Sequence, residues 1–481
     1  MSERPRAAGL ILAAGGSSRF GAAKLLAPLA GRPVLEHVLD ATRGAGLDRV
    51  LVVLPPGADG DALQSLVAAA GAGSARNRNP ERGLSSSVRL GLEVLAEDET
   101  IDAIVVMPGD QPLVRPGAIR AVLAALGDRR PIVVARHADG SPNPVALGRA
   151  AFGLAGELTA DRGFGPILAA HPELVADVPI DAPNPDVDTR ADLLAADWAL
   201  RVRANREQVD RVREIPDGAD FYAPVSGLFR DDPDRTGDEV LDAIEDHVRP
   251  TDVVLDVGAG AGRYALPLAR RVRRVIAIDP STAMLDALRE DAAAHGIGNV
   301  ETVAGRWPPR GRDDPLAAIG GDVSLVSQLG YDVEAIGPFL DALEEATDRR
   351  CLFVLNEQSP AAAASSFWPA VHDQARSELP ALTELLAILD ARGSSPAVSS
   401  ITRPARPYAS FEDARSAVER QLWVRPGGER YERFVRELER RAMERDGGWY
   451  LDDAPRRIGV VSWRPGDVEG KRDRPGTTAG R

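Results

Sequence analysis

Short apolar runs of strand length recur along the chain, each closed by small or turn-forming residues and followed by helical spacing. In the first part they are Gly9–Ala13 (GLILA), Arg49–Leu54 (RVLVVL), Asp102–Met107 (DAIVVM) and Pro131–Ala135 (PIVVA). Helices are expected near Val34–Gly44 and Ser86–Leu95. Strands that are apolar on both faces and alternate with helices predict a mostly parallel sheet covered on both sides, whose ligands gather at the carboxyl ends of its strands. The pattern starts again with Thr251–Val257, Arg274–Asp279, Val300–Ala304 and a strand from Asp322. Helices are expected over Asp238–His247 and from Ser281, where Met284, Leu285 and Leu288 fall at core spacing. Past Pro380 the spacing reads as largely helical, with Glu429–Arg445 a charged, solvated amphipathic stretch and Ile458–Trp463 a final strand suited to an antiparallel sheet edge.

This alternation predicts an α/β chain with two doubly wound domains, and 481 residues exceed one ordinary core. The expected boundaries are 1–200 and 236–465, joined by a linker over 201–235 and followed by an unstructured, apolar-poor tail over 466–481. A net charge of −14 excludes a general nucleic-acid binder, which needs a basic face to displace counterions, but leaves room for small nucleotides. The lone Cys351 excludes an intrachain disulfide and a multi-cysteine metal site, and reads as a buried structural thiol. The six histidines form no ligand cluster. Without a run of about 20 apolar residues, no membrane span is expected. The apolar stretch before Gly15 is too short for a signal peptide, so the expected location is cytoplasmic.

Candidate chemistry begins at Gly9–Lys24, GLILAAGGSSRFGAAK. The strand breaks into Ala14, Gly15, Gly16, Ser17 and Ser18, whose amides can approach a ligand without bulky side chains, with Arg19 and Lys24 as flanking cations. An ordinary strand-to-helix turn would need the glycines alone; the two cations point to a polyphosphate. Asp110, in Pro108–Pro112 just after the third strand, stands where a triphosphate needs a hard, oxygen-bound cation, though a lone aspartate there also caps helices. Ser85 and Ser86 suit either a helix N-cap or a ligand.

LAAGGSSRFGAAK resembles the LAAG-x-S-x-R-(F/M)-G-x-x-K signature of MobA/MocA-like nucleotidyltransferases. The resemblance implies that Leu12, Ala13, Ala14, Gly15 and Gly16 hold the phosphates of a nucleoside triphosphate, with Arg19, Lys24 and Asp110 catalytic. It further implies Mg²⁺ on Asp110, from PGDQP, and on Asp188, from the D-x-D-T-x-x-D-L wording of Asp186–Leu193, where a helix cap at Asp188 or Thr189 is the alternative. Ser85 and Ser86 correspond to the segment near base and ribose. The wording KLLAPLAGRPVL is similar to the cytidylyltransferase branch that joins CTP to molybdopterin. The implied partners are small molecules and a molybdoenzyme or its maturation factor, with neither nucleic acid nor membrane. Ala160 and the inserted Ser141-Pro142 depart from the family's acceptor-side loops and leave a sugar phosphate or another small phosphate open as acceptor.

In the second part a strand ending in Asp256 runs into Gly258, Gly260 and Gly262, and the next strand ends in Asp279, placed as a ribose-binding acid. The G-x-G-x-x-G dinucleotide loop would need glycine where Arg263 stands, which opposes an NAD-binding domain. LDVGAGAGRYALPLA with AIDPS resembles class I S-adenosylmethionine-dependent methyltransferases, a Rossmann-like fold, as is that of the first part. By that resemblance Asp256, Gly258, Gly260, Gly262 and Asp279 bind S-adenosylmethionine, and Gln328 and Tyr331 face the substrate, with packing under a loop the alternative for Tyr331. The third strand ends in Gly305-Arg306-Trp307 without the acid that often contacts adenine there, and stacking by Trp307 is the expectation in its place. His372 is a weaker candidate, since a histidine beside aromatics is more often structural. Two rival expectations are methylation as the main activity and a non-catalytic cofactor-sensing module.

Overall fold

The computed structural model describes residues 6–15, 20, 23–158, 163–216, 227, 229–311, 313–405, 407–452 and 454–466. It divides into two compact units, Met1–Asp197 and Trp198–Arg481.

The described strands of the first unit are β1 (Ala7–Leu12), a short hairpin of β2 (Pro28–Leu29) and β3 (Arg32–Pro33), β4 (Arg49–Leu54), β5 (Gly73–Arg76), β6 (Ala103–Pro108), β7 (Ile132–His137), β8 (Val145–Gly148) and β9 (Val175–Ile180). Seven of them form one sheet in the order β5-β4-β1-β6-β8-β7-β9, parallel except for β8, which runs against both neighbours. The chain steps from β1 outward to β4 and later to β6 on the other side. The loop after β1 therefore sits at the switch point where open α/β sheets bind ligands. Among the described residues, helices alternate with these strands: α1 (Val34–Ala45), α2 (Gly57–Ala69), α3 (Leu84–Ala96), α4 (Pro116–Ala124) and the short α5 (Gly165–Ala170). The apolar stripe of α1 is buried, and Gly46 ends the helix in the left-handed conformation at φ +74°. Val88, Leu92 and Leu95 of α3 pack on Ala8, Leu10, Leu51 and Val53. The approach is close because Gly91 has no side chain: a Cβ there would stand 2.2 Å from Leu10 Cδ1. Strand β5 was not anticipated, since its GSAR sequence has no apolar run and lies exposed at the sheet edge.

In the second unit the described strands are β10 (Val253–Val257), β11 (Arg274–Asp279), β12 (Val300–Ala304), β13 (Gly321–Ser327), β14 (Thr347–Asn356), β15 (Ala397–Arg403), a small hairpin of β16 (Met443–Arg445) and β17 (Gly448–Tyr450), and β18 (Arg456–Trp463). The large sheet has the order β12-β11-β10-β13-β14-β18-β15. Its first five strands are parallel, and β18 is antiparallel to both β14 and β15. The switch point again follows the first strand, now β10. Strand β18 is antiparallel as expected, but the edge belongs to β15. Its AVSSITR sequence is mostly exposed and lies in a stretch that reads as helical by apolar spacing. Cys351 is fully buried in β14.

Residues 201–212 are helical within Arg190–Val212, and Val209 and Val212 join a core with Phe367, Trp368, Leu422 and Phe434. The charge on the other faces of this segment leaves that apolar stripe narrow. The rest of the expected linker partly, and the tail after 466, lie outside the described residues. Among the described residues no helix is long and apolar enough to cross a membrane.

Candidate functional site

In the first unit three chain segments meet at the carboxyl edge of the sheet. Lys24, in a short 3-10 turn, is only 7% exposed. Its Nζ donates to Asp110 Oδ2 at 2.6 Å and to Asp188 Oδ1 at 2.8 Å. Burial alone would lower the ammonium pKa, but the charges and hydrogen bonds of Asp110 and Asp188 outweigh it and raise it, so Lys24 stays a cation.

Backbone contacts fix both carboxylates. The Gly109 amide donates to the Leu12 carbonyl at 2.9 Å, which ties the loop after β6 to the end of β1. A Cβ on Gly109 would lie 3.1 Å from that same oxygen. The Asp110 carbonyl accepts from the Val187 amide at 2.9 Å, joining the two acidic loops. Thr189 Oγ1 accepts from the Asp192 amide at 3.2 Å and so caps the helix Arg190–Val212, while Asp192 Oδ2 accepts in return from the amides of Asp188 and Thr189 at 3.1 and 2.8 Å; the Asp188 carboxylate meets Lys24. Asp186 accepts from Gln111 Nε2 at 2.9 Å, and Gln111 Oε1 accepts from Asn184 at 3.0 Å. Partial burial, then the like charge of Asp110, push the Asp186 carboxyl up to about 6. Gln111 and Asn184 were not singled out in the sequence; a glutamine beside the metal-type aspartate in PGDQP was the available signal.

The glycine-loop residues divide into two groups. The Leu12 carbonyl accepts from the Gly109 amide, and the Ala13 amide donates to the Val53 carbonyl. Ala14 is buried, whereas Gly15 is exposed with open space where a side chain would be. Gly16 and Arg19 lie outside the described residues, as do Ala160 and its neighbours. Ser86 Oγ donates to the Gly83 carbonyl at 2.8 Å and, with Ser87, accepts from Asn77, a further residue the sequence did not flag. Ser85 is fully buried, and its hydroxyl has no partner among the described residues.

The second unit carries its own constellation. Gly258, Gly260 and Gly262 adopt φ of +76°, +54° and +86°, a region costly for other residues. The amides of Gly258 and Ala259 donate to Ile278, folding the loop back on β11. Asp279 Oδ2 accepts from the Gly260 amide at 2.9 Å and Oδ1 from the Ser281 amide at 2.8 Å, which orients the carboxylate at the loop. Asp256 is 2% exposed beside it; burial first, then the charge of Asp279, push its carboxyl up to about 7. Gln328 is exposed at φ +54° and pairs with Asn356, while the hydroxyl of buried Tyr331 donates to Gln328 at 3.2 Å and accepts from the Asn356 amide at 2.7 Å. Burial raises the Tyr331 pKa further, so it is a brace for Gln328 and unsuited to act as a base. His372 is buried with its Nε2 on the Leu422 carbonyl at 3.1 Å; burial lowers its pKa to about 4 and keeps it neutral. Trp307 is 8% exposed.

Residues 9–175 match the family described as the MobA-like NTP transferase domain, and residues 254–312 match a methyltransferase domain family. Among curated relatives, the chain is similar to a bifunctional protein GlmU of Bordetella petrii, at 36% identity over 120 residues, 24% of this chain and 26% of that one. It is also similar to a 2-C-methyl-D-erythritol 4-phosphate cytidylyltransferase of Cereibacter sphaeroides, at 41% identity over 124 residues, 25% of this chain and 53% of that one. The chain thus spans between about a quarter and about half the length of these relatives. A crystal structure of Rv0371c from Mycobacterium tuberculosis H37Rv aligns at 33% identity over 39% of this chain and 95% of that one, with a TM-score of 0.34.

Proposed function

Because the chain joins a MobA-like nucleotidyltransferase domain to a class I methyltransferase domain, we propose that its first unit transfers CMP from CTP to a phosphorylated acceptor. The second unit, on the same proposal, binds S-adenosylmethionine for methyl transfer. The observation that carries the first part is the buried Lys24 ammonium between Asp110 and Asp188, beside the loop that leaves β1.

In this reading an oxygen of the acceptor phosphate attacks the α-phosphorus of CTP, the bond from that phosphorus to the bridging oxygen breaks, and pyrophosphate departs with the electron pair. A phosphate nucleophile is already ionised near neutral pH, so no general base is needed and positioning with charge neutralisation suffices. Lys24 and the Gly15 region hold the triphosphate, and Arg19 adds a second cation. Asp110 and Asp188 suit Mg²⁺: both are hard oxygen donors, and they already converge on one cationic group. Bound there, Mg²⁺ would neutralise charge on the phosphates. Gln111 and Asn184 keep the neighbouring carboxyl of Asp186 oriented.

The wording after the loop favours molybdopterin as acceptor; the cytidylyltransferase relative favours a polyol phosphate. Purified protein with Mg²⁺, each nucleoside triphosphate in turn, and molybdopterin or a polyol phosphate, followed by pyrophosphate release, separates them. Release with CTP and molybdopterin alone supports the first; release only with the polyol phosphate refutes it. For the second unit, calorimetric titration with S-adenosylmethionine should show binding that Asp279→Ala weakens, and absence of binding would end that part of the proposal.

A further inference from the structure

The helical region after β14 holds a cation that has no counter-charge among the described residues. Arg376, just beyond the helix Trp368–His372, is 8% exposed. Its Nη1 donates to the Ala361 carbonyl at 3.1 Å, and its Nε is buried without an acceptor. Among the described residues no carboxylate stands within ion-pair distance of it. Its guanidinium lies instead between two indoles, 5.1 Å from the ring centre of Trp368 and 5.6 Å from that of Trp423. Two such contacts recover only part of the cost of removing a charge from water, and burial accordingly pushes the Arg376 pKa down to about 10. Two described carboxylates of this region are committed elsewhere: Asp373 takes Arg433 at 2.9 Å, and Glu214 accepts from the Arg425 amide at 2.9 Å and faces Arg430 at 3.5 Å. Trp423 presents its ring from a left-handed backbone at φ +51°, a strained position for a bulky residue. It is also half-buried, whereas Trp368 is fully enclosed.

We propose that Arg376, framed by Trp368 and Trp423, receives an anionic group, a carboxylate or a phosphate, of a small molecule that enters past Trp423. An anion supplies the missing counter-charge and meets a planar fork of donors suited to two oxygens. Ala361 follows the carboxyl end of β14, the end of the sheet that also carries the Gly258–Gly262 loop. The anion therefore belongs to the substrate of the second unit; that last step rests on the methyltransferase reading, and the anion site does not.

All six tryptophans stand at position 198 or later, and a fluorescence change is assigned to this site by its weakening in Arg376→Met. Titrating the full chain with sodium phosphate and, separately, sodium acetate at fixed ionic strength should give a saturable fluorescence change. Arg376→Met should weaken it at least tenfold, and Arg376→Lys less. Phosphate alone binding identifies a phosphate ligand, acetate alone a carboxylate. The fluorescence melting midpoint of the unmodified chain should also rise with the binding anion relative to chloride, a test that survives if Arg376→Met fails to fold. No saturable change with either anion, or equal binding by Arg376→Met, overturns the proposal. Loss of S-adenosylmethionine binding would leave the anion result untouched.

Discussion

Alanine at Gly262 and at Gly260 asks the two glycines different questions. Gly262 has φ +86°, and an added Cβ would meet Leu288 Cγ at 2.8 Å and Leu266 Cγ at 3.0 Å. Both leucines are almost fully buried and cannot swing aside into solvent. Left-handed backbone costs a non-glycine residue about 1–2 kcal/mol, and overpacking a core costs about 1–3 kcal/mol. Gly262→Ala should therefore lose about 2–5 kcal/mol, a large part of a stability of about 5–15 kcal/mol. Gly260, at φ +54°, has no atom within 4 Å of the added carbon, so Gly260→Ala should lose only the backbone share. In urea unfolding followed by tryptophan fluorescence, whose six tryptophans all stand at position 198 or later, the Gly262→Ala midpoint should fall clearly below that of Gly260→Ala. S-adenosylmethionine affinity should fall for Gly260→Ala even where its midpoint is near normal, because the added methyl fills the space left at the loop. Equal midpoints, or a lower one for Gly260→Ala, would refute the packing argument.

Asp256 has a folded pKa of about 7 against about 3.9 unfolded, so its contribution to stability is complete below pH about 4 and is lost as pH rises through about 7. Asp256→Asn should gain on the unmodified chain as pH rises from 4 to 8, by at most about 4 kcal/mol, and a urea midpoint difference that stays flat with pH contradicts this. Gly91→Ala presses a Cβ against buried Leu10 and should cost the first unit about 1–3 kcal/mol, visible by scanning calorimetry; an unchanged transition would mean that α3 shifts freely on β1. Lys24→Met should weaken CTP binding in a calorimetric titration by at least about tenfold, since it removes a buried charge-assisted donor; unaltered affinity would remove Lys24 from the phosphate site.

Much of this was readable in advance where one signal dominated. Runs with an uninterrupted apolar interior, such as residues 50–54 and 275–278, became interior parallel strands because only a sheet covered on both faces buries them. The glycines of the second loop were legible for the same physical reason that they are needed, close approach at positive φ. Edge strands β5 and β15 were not, because an edge is half solvated and its sequence carries no apolar run. The segment from Ala199 to Val212 was legible as helix-compatible, but its charge concealed that a few valines anchor one face in a core. At the first site the acidic residues were visible one by one, but not that Lys24 lies between Asp110 and Asp188, which are 78 positions apart in the chain. Nor could spacing reveal that the Leu12 carbonyl pairs with the Gly109 amide and the Ala13 amide with the Val53 carbonyl.

The central claim is that Lys24, Asp110 and Asp188 form one triphosphate- and Mg²⁺-dependent transfer site. Pyrophosphate release from CTP and the accepted phosphate, measured against Mg²⁺ concentration for the unmodified chain and Asp110→Asn, tests it most directly. Release should depend on Mg²⁺, and Asp110→Asn should abolish it while still unfolding in a cooperative calorimetric transition. Release that needs no divalent ion, or that persists in Asp110→Asn, would contradict it.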